Sequence, residues 1–385
     1  MRLLIAGGGT GGHIYPALAV ARSLRARPAE PELAWLGGHR GLEAAIVPAA
    51  GIPVRRLALR SLRSTDRSVH LVLDPARLAL SVPQATAILA RIRPAAIFTT
   101  GGYVAIPVLL AARGLRIPVV MWEGNVIPGR SVRATARLAR AVAVSNGLTC
   151  GALDLPPGRC FETGTPIRDL AGVEPIAARV QFGVPPGDRL LLIFGGSQAV
   201  RRFNAAVAGA LGRLVEHVHV VHVTGESGYA AALADREALP PERRERYRPY
   251  PFLRSEMSAA LVAADLIVGR AGSSTLAEAT ALGRPLVVVP YPHAAGHQRA
   301  NAQPLVDAGA ARLIEDAQFD ATALLAAAAI LDDPATHNAM AAASRALGRP
   351  AAAEAVADLV MAAAERRPLP DPGALLRRSR GEVAG

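Results

Sequence analysis

The sequence predicts an α/β protein of two doubly wound halves, and three observations carry that prediction. Short apolar runs alternate with segments of helical periodicity, the pattern of a parallel sheet covered by helices. Each half opens alike, on an apolar run broken by glycines: Met1–Ala6 before Gly7–Gly12, and Leu190–Phe194 before Gly195-Gly196-Ser197. The length of 385 residues suits two or three domains.

In order along the chain, Met1–Ala6 is a strand, and His13–Arg25 carries Ile14, Leu18, Ala21 and Leu24 at helical spacing. Glu32–Leu36, the loop Gly37–Gly41 and a helix over Leu42–Ala50 form the next unit. Ala95–Thr99 is a third, buried strand, followed by the loop Gly101-Gly102 and a helix over Ile106–Ala112. Pro118–Trp122 and Ala141–Val144 are further strands. The register restarts after about residue 165, and the Pro-, Gly- and Ala-rich stretch 173–188 is expected to join the halves. Beyond the second glycine loop, Val200, Phe203, Val207, Leu211 and Leu214 mark a helix. Val218–Val223, Leu266–Val268 and Leu286–Val289 are later strands. The expected domains are residues 1–165 and 166–344, with a helix near 345–365 completing the first and a flexible basic tail over 366–385.

Composition narrows the class. With 51% hydrophobic and 19% charged residues, disorder over the whole length is excluded. The 36 glycines and 30 prolines show no G-x-y period, which excludes collagen. The net charge is +12 with no lysine, so all 43 Lys/Arg cations are arginine, which suits an anionic partner or simply a solvated surface. Aromatics at 4% are too few for single-strand stacking platforms, so nucleic acid is not expected as a partner. Cys150 and Cys160 give neither a disulfide framework nor a metal spacing, which fits a cytosolic protein. Residues 1–12 do not read as a signal peptide. The uncharged run Ala95–Ala112 holds Gly101, Gly102 and Pro107 and suits a strand, a loop and a helix, so any membrane contact is expected to be peripheral.

Gly7-Gly8-Gly9-Thr10-Gly11-Gly12 satisfies G-x-G-x-x-G between strand and helix, where backbone amides can face a phosphate. A dinucleotide site also wants an acidic residue after the second strand, and Gly37-Gly38 stands there instead. His13 opens the helix, where a neutral ring able to accept a proton is favoured; the bland alternative is a structural histidine. Gly195-Gly196-Ser197-Gln198 repeats the device, with Ser197 either an N-cap or a phosphate donor. In Arg270 through Glu278, Thr275 and Glu278 form an S/T-x-x-E capping box, or Glu278 accepts from a ribose diol. His293 through Asn301 lack a carboxylate to complete a metal set and suit a loop reading sugar hydroxyls. No D-x-D pair occurs, and no metal is expected. Trp122–Arg130 and Gly164–Arg168 are polar loops.

Taken together, Gly8–His13 with Pro16-Ala17, Gly101-Gly102-Tyr103-Val104, Glu123-x-Asn125 with Pro128-Gly129, Gly164-x-Pro166-x-Arg168, Gly195–Gln198 and Arg270-x-Gly272 through Glu278 resemble the MurG family over about residues 1–345. These are N-acetylglucosaminyltransferases of peptidoglycan synthesis. The resemblance implies the GT-B fold, two Rossmann-like domains facing a central cleft. It implies inverting transfer of N-acetylglucosamine from UDP-GlcNAc to the 4-hydroxyl of the muramyl sugar of lipid I, the undecaprenyl-diphosphate-linked muramyl peptide, giving lipid II.

Carried over by motif, Glu278 holds the ribose, Ser197, Ser274 and Thr275 the diphosphate, with Ser273 a further donor-binding residue, and the Leu253 backbone reads uracil beside Arg270. His297 and Gln298 read the sugar, and Arg168, Thr10, Gly11, Gly12 and Asn125 complete the donor contacts. The acceptor diphosphate falls to Gly9, Thr10, Gly11, Gly12, Gly101 and Gly102. His13 is the leading general base, with Tyr103 and Asn125 as its catalytic neighbours. No tightly bound cofactor is implied, and a divalent ion only as an accessory. Gly124, Gly296 and His297 depart from residues common in the family and bear on sugar recognition.

A lipid acceptor implies a peripheral place on the cytoplasmic face of the bacterial plasma membrane, with other wall-synthesis proteins as further partners. Arg55, Arg56, Arg60, Arg63 and Arg67, with Leu71, Val72, Leu73, Leu78 and Leu80, suit an anionic surface with shallow insertion. The rivals are a transferase acting on another lipid or natural product, a UDP-GlcNAc 2-epimerase of the same fold, and a nucleotide-sugar sensor without turnover.

Overall fold

The computed structural model describes residues 1–38, 42–59, 70–195, 201–294 and 296–382, with the side chains of all but 70–76. The chain divides into two compact units, Met1–Ile167 with Arg349–Gly385, and Arg168–Gly348.

Among its described residues the first unit holds seven parallel strands: β1 (Arg2–Ala6), β2 (Glu32–Gly37), β3 (Val54–Arg56), β4 (Ala96–Thr99), β5 (Val119–Glu123), β6 (Ala141–Val144) and β7 (Cys160–Glu162). Their order is β3-β2-β1-β4-β5-β6-β7, so the chain reverses its direction of winding beside β1, where doubly wound folds place their ligands. The central strands are apolar on both faces because helices cover both sides. The helix Gly11–Arg25 buries Ile14, Ala17, Val20, Ala21 and Leu24, the stripe seen in the sequence. The helix Ala352–Ala364 packs on it and on β4 and β5, so a distant segment closes one face of this sheet.

Two expectations are overturned here. Of the expected tail, residues 366–382 are described and are not a flexible tail: Pro372–Ser379 is a helix, Asp371 Oδ1 accepts from the Ala374 amide at 2.8 Å, and Leu375 is 2% exposed in the core. The Asp-Pro pair is a helix start, and Arg377 and Arg378 occupy the last turn, where cations are favoured. The basic charges thus mark a helix end rather than a solvated tail. The cysteines are not unpaired: Cys150 and Cys160 form a disulfide, because the helix Leu148–Gly151 lies beside β7 and brings their Cα atoms to 5.8 Å.

The second unit holds, among its described residues, six parallel strands: β8 (Arg189–Phe194), β9 (Val218–Val223), β10 (Tyr247–Tyr250), β11 (Leu266–Gly269), β12 (Leu286–Val288) and β13 (Ala311–Leu313). Their order, β10-β9-β8-β11-β12-β13, repeats the topology of the first six strands of the other sheet. The helix Arg201–His217 lays Phe203, Val207, Leu211 and Leu214 on this sheet. The stretch 173–188 is not a plain linker. It contains the helix Pro175–Gln181, started by Pro175 and by Glu174, whose carboxylate accepts from the Ala177 amide at 2.7 Å.

Of the basic and apolar residues expected at a membrane, Arg60, Arg63 and Arg67 and the side chains of Leu71, Val72 and Leu73 lie outside the described residues. Arg55 and Arg56 are exposed on β3, Leu78 packs against the core, and Leu80 is 69% exposed. Among the described residues no helix is long and apolar enough to cross a membrane.

Candidate active site

In the first unit the glycine loop runs from the C-terminal end of β1 into the helix Gly11–Arg25. Thr10 is the N-cap residue, and its side chain makes no capping bond. The first-turn amides of Gly11 and Gly12 have no intrahelical acceptor, which makes this terminus suitable for an anion.

His13 lies in the same turn. Its Nδ1 is 2.8 Å from the Thr100 carbonyl oxygen, beyond the end of β4. A carbonyl only accepts, so Nδ1 carries a proton, and in the neutral ring the lone pair then lies on Nε2. Nε2 faces Gly102, where an added Cβ would lie 3.9 Å from it. Gly101 and Gly102 both have positive φ, 79° and 77°, and a Cβ on Gly101 would lie 2.9 Å from the Val132 side chain.

Not every expected phosphate donor points outward. The Gly9 amide donates to Glu43 Oε2 at 3.0 Å, and the Gly101 amide to Thr99 Oγ1 at 3.2 Å. Those two amides are bound within the fold, so they leave the expected diphosphate set, while Thr10, Gly11, Gly12 and Gly102 remain candidates.

Glu43 organises this end of the sheet and was not singled out by any motif. It is fully buried at the start of the helix Glu43–Ala49. It also accepts from the Gly38 amide at 3.1 Å, so one carboxylate ties the loops after β1 and β2. A Cβ at Gly8 would lie 2.4 Å from Glu43 Oε1. Glycine there is required by this buried carboxylate, not only by an outside ligand. Tyr103 packs against Gly38 and Gly9. Burial and the Glu43 charge push its phenol up to about 12. Tyr103 therefore stays protonated at neutral pH and serves as a donor rather than a base.

Beyond β5, Glu123 is buried and accepts from the Asn125 amide at 2.8 Å, from Asn125 Nδ2 at 3.0 Å and from the Gly129 amide at 2.8 Å. Ser145 Oγ donates to the Gly124 carbonyl and Thr149 Oγ1 to that of Asn125. Glu123 is thus the frame of this loop, and Asn125 is the half-buried side chain it presents.

In the second unit, β11 leads through Arg270 to the helix Ser273–Ala281. The N-cap is Gly272, so Ser273, Ser274 and Thr275 are first-turn residues with amides and hydroxyls together. The capping box read from the sequence does not form: Thr275 lies inside the helix, and no side chain caps this terminus. Glu278 instead turns inward, 5% exposed, with Oε1 2.6 Å from Arg168 Nε. Burial raises its carboxyl above the ordinary value and the Arg168 charge opposes that.

Arg270 is also buried. Its guanidinium donates to the Val289 carbonyl at 3.0 Å, pairs with Asp316 at 2.6 Å and lies over the Phe203 ring at 4.9 Å. It joins the loop after β11 to the loop after β12. Gln298 Oε1 accepts from the Tyr291 amide at 2.9 Å, which clips that loop to the helix His297–Asp307. His297 is half-buried in its first turn behind Gly296, whose φ is 78°. Leu253 is half-buried in the loop after β10. Gly196, Ser197 and Gln198 lie outside the described residues. Among the described residues no group of three or more His, Cys, Asp and Glu side chains is placed to hold a metal ion.

Two family models match in order, the glycosyltransferase family 28 N-terminal domain over residues 3–144 and its C-terminal domain over residues 190–359. A UDP-N-acetylglucosamine--N-acetylmuramyl-(pentapeptide) pyrophosphoryl-undecaprenol N-acetylglucosamine transferase of Desulforudis audaxviator is 38% identical over 94% of this chain and 98% of its own length. The protein of the same name from Corynebacterium diphtheriae is 39% identical over 93% of this chain and 96% of its own length. The chain belongs to the MurG family. A crystal structure of Acinetobacter baumannii MurG agrees with a TM-score of 0.74 at 27% identity, covering 94% of this chain and 99% of that one. The two parallel-sheet units are those of the GT-B fold. For this MurG-family chain, motif reasoning singled out His13, Asn125 and Glu278 and passed over Glu43 and Thr100, which hold the loops around His13. Glu43 had a signal, a lone carboxylate just after the loop Gly37–Gly41. Thr100 acts through its carbonyl, which no residue identity encodes.

Proposed function

We propose that this chain transfers N-acetylglucosamine from UDP-GlcNAc to the 4-hydroxyl of the N-acetylmuramyl sugar of lipid I, with inversion, forming lipid II. Family membership supports the reaction, and one observation carries the residue-level reading: the Thr100 carbonyl accepts from His13 Nδ1, which puts the lone pair of the neutral ring on Nε2. In the displacement, the acceptor 4-oxygen attacks the anomeric carbon as its proton passes to Nε2, and the bond to the UDP oxygen breaks. A base so placed contributes roughly 10²–10⁴-fold.

The remaining roles follow from position and, for Ser197, from the family motif alone. Charge growing on the leaving diphosphate falls to the first-turn amides and hydroxyls of Ser273, Ser274 and Thr275, together with Ser197. Glu278 receives the ribose through Oε2 while Arg168 holds Oε1. The Leu253 backbone reads uracil, and His297 and Gln298 the sugar. Arg270 acts from behind, by fixing the loops. Thr10, Gly11, Gly12 and Gly102 take the acceptor diphosphate, and Asn125 and the protonated Tyr103 orient the sugar. UDP-GlcNAc and lipid I are substrates, and no resident metal is invoked.

A lipid acceptor places the protein peripherally on the cytoplasmic face of the membrane, with Arg55, Arg56 and Leu80 as contacts. Binding to anionic liposomes that weakens with salt supports that placement, and indifference to lipid charge contradicts it. The deciding experiment measures UDP release from UDP-GlcNAc with and without a short-chain lipid I analogue. Release that requires the analogue and yields a β-1,4 disaccharide is expected. UDP binding without analogue-dependent release overturns the reaction.

A further inference from the structure

At the N-terminal end of the strands of the first sheet, opposite the glycine loops, a cavity of about 430 Å³ opens below β5, β6 and β7. Pro118, Arg140 and Arg159, each immediately before one of these strands, form its roof. It therefore lies a full strand length from Glu123, about 13 Å along β5. No residue given a role above lines it. Six of its twelve lining residues are arginines, against 43 in the 385-residue chain, so the enrichment is local.

The charge there is not neutralised. Of Arg113, Arg116, Arg137, Arg140, Arg159 and Arg366, only Arg137 has a carboxylate partner among the described residues, Asp154. Two helices, Ala105–Gly114 and Ala352–Ala364, end at the cavity, and their C-termini contribute about half a negative charge each. Against the five arginines without carboxylate partners, that leaves roughly four positive charges. Arg140 donates to the Arg367 carbonyl at 2.7 Å, yet its Nε is buried without an acceptor. Buried donors of this kind normally have a partner.

The backbone adds an independent mark. Five described non-glycine residues have positive φ. Arg116 (56°) and Arg366 (55°) line the cavity, and Asp154 (45°) pairs with Arg137 at its rim. Both arginines stand just past a helix end. Glycine takes that place after five other described helices, at Gly51, Gly183, Gly283, Gly309 and Gly381. Arginine is held here in a conformation that glycine adopts freely.

We propose that this cavity is an anion site of phosphate chemistry, taking a ligand with two or more phosphoryl groups, separate from the site of sugar transfer. Its size is in the range of small-ligand sites. Planar guanidinium groups match phosphate oxygens two at a time.

The test titrates inorganic pyrophosphate into the full chain already saturated with UDP. The variants are Arg116→Gly with Arg366→Gly, which relieves both left-handed arginines, and Arg159→Gln, which leaves the backbone alone. Pyrophosphate binding by the UDP-saturated chain, weakened about tenfold or more by each variant with UDP affinity unchanged, is expected. No binding under UDP saturation, or equal affinity in the wild type and both variants, overturns the proposal. A third arm adds vesicles. Displacement of pyrophosphate by phosphatidylglycerol vesicles, and not by phosphatidylcholine vesicles, assigns a lipid headgroup. Persistence with both assigns a soluble phosphate compound.

Discussion

Arg168 and Glu278, 110 positions apart in the sequence, meet with Nε 2.6 Å from Oε1, and the carboxylate is buried. A charge removed from water this far needs a partner, and one hydrogen-bonded guanidinium meets half of the carboxylate's capacity. The other half is what the proposed function assigns to a ribose diol.

Glu278→Gln is therefore expected to weaken UDP binding about tenfold or more, read by calorimetry. Its effect on stability depends on pH. The folded carboxyl is raised above the ordinary 4.5, so its favourable contribution is present below that value and is lost as pH rises through the raised one. Thermal melts from pH 4 to 8 should show the variant gaining on the wild type as pH rises. A pH-independent difference with UDP affinity intact would sink the ribose assignment.

His13→Ala should lower kcat by roughly 10²–10⁴-fold while UDP-GlcNAc affinity is kept. Steady-state kinetics with the lipid I analogue separates the two, and near-normal turnover would remove His13 as the base.

Tyr103→Phe should cost less than His13→Ala, since a phenol near 12 is a donor throughout the working range. The pH–rate profile of the wild type is expected to show no limb from Tyr103 below pH 10. A limb there that vanishes in the variant contradicts this.

Glu43→Ala leaves the Gly9 and Gly38 amides without their acceptor, at a cost of about 1–3 kcal/mol for each. Urea unfolding should show that loss. Turnover of the fraction still folded should fall as well, because the loop before His13 loses its anchor.

Leu375→Ala tests the C-terminal helix. A core leucine truncated to alanine costs about 2–5 kcal/mol, whereas the same change in a solvated tail costs nearly nothing. The urea midpoint discriminates.

Much of this was legible in the linear sequence because it is local. The strands β1, β4, β8 and β11 are apolar runs, and the first helix shows its stripe at Ile14, Leu18, Ala21 and Leu24. What failed were segments whose meaning depends on distant neighbours. The Thr275–Glu278 spacing is that of a capping box, but the helix starts at Ser273, so Thr275 falls inside it. The terminal arginines looked solvated because the apolar contact of Leu375 is made with core residues far away in sequence.

By itself, then, the sequence determined, among the described residues, the nine inner strands of the two sheets but not the edge strands β3, β7, β10 and β13, and it determined the glycine-loop punctuation after β1 and β8 and the family, because periodicity, turn chemistry and ordered motifs are written in adjacent residues. Only tertiary structure decided that Glu43 fills the cradle beside Gly8 and Gly9, that the Thr100 carbonyl sets the tautomer of His13, and that Arg168 meets Glu278. Each depends on a carboxylate or carbonyl finding its donor across the fold, and the need to satisfy buried polar groups becomes specific only once the chain is packed.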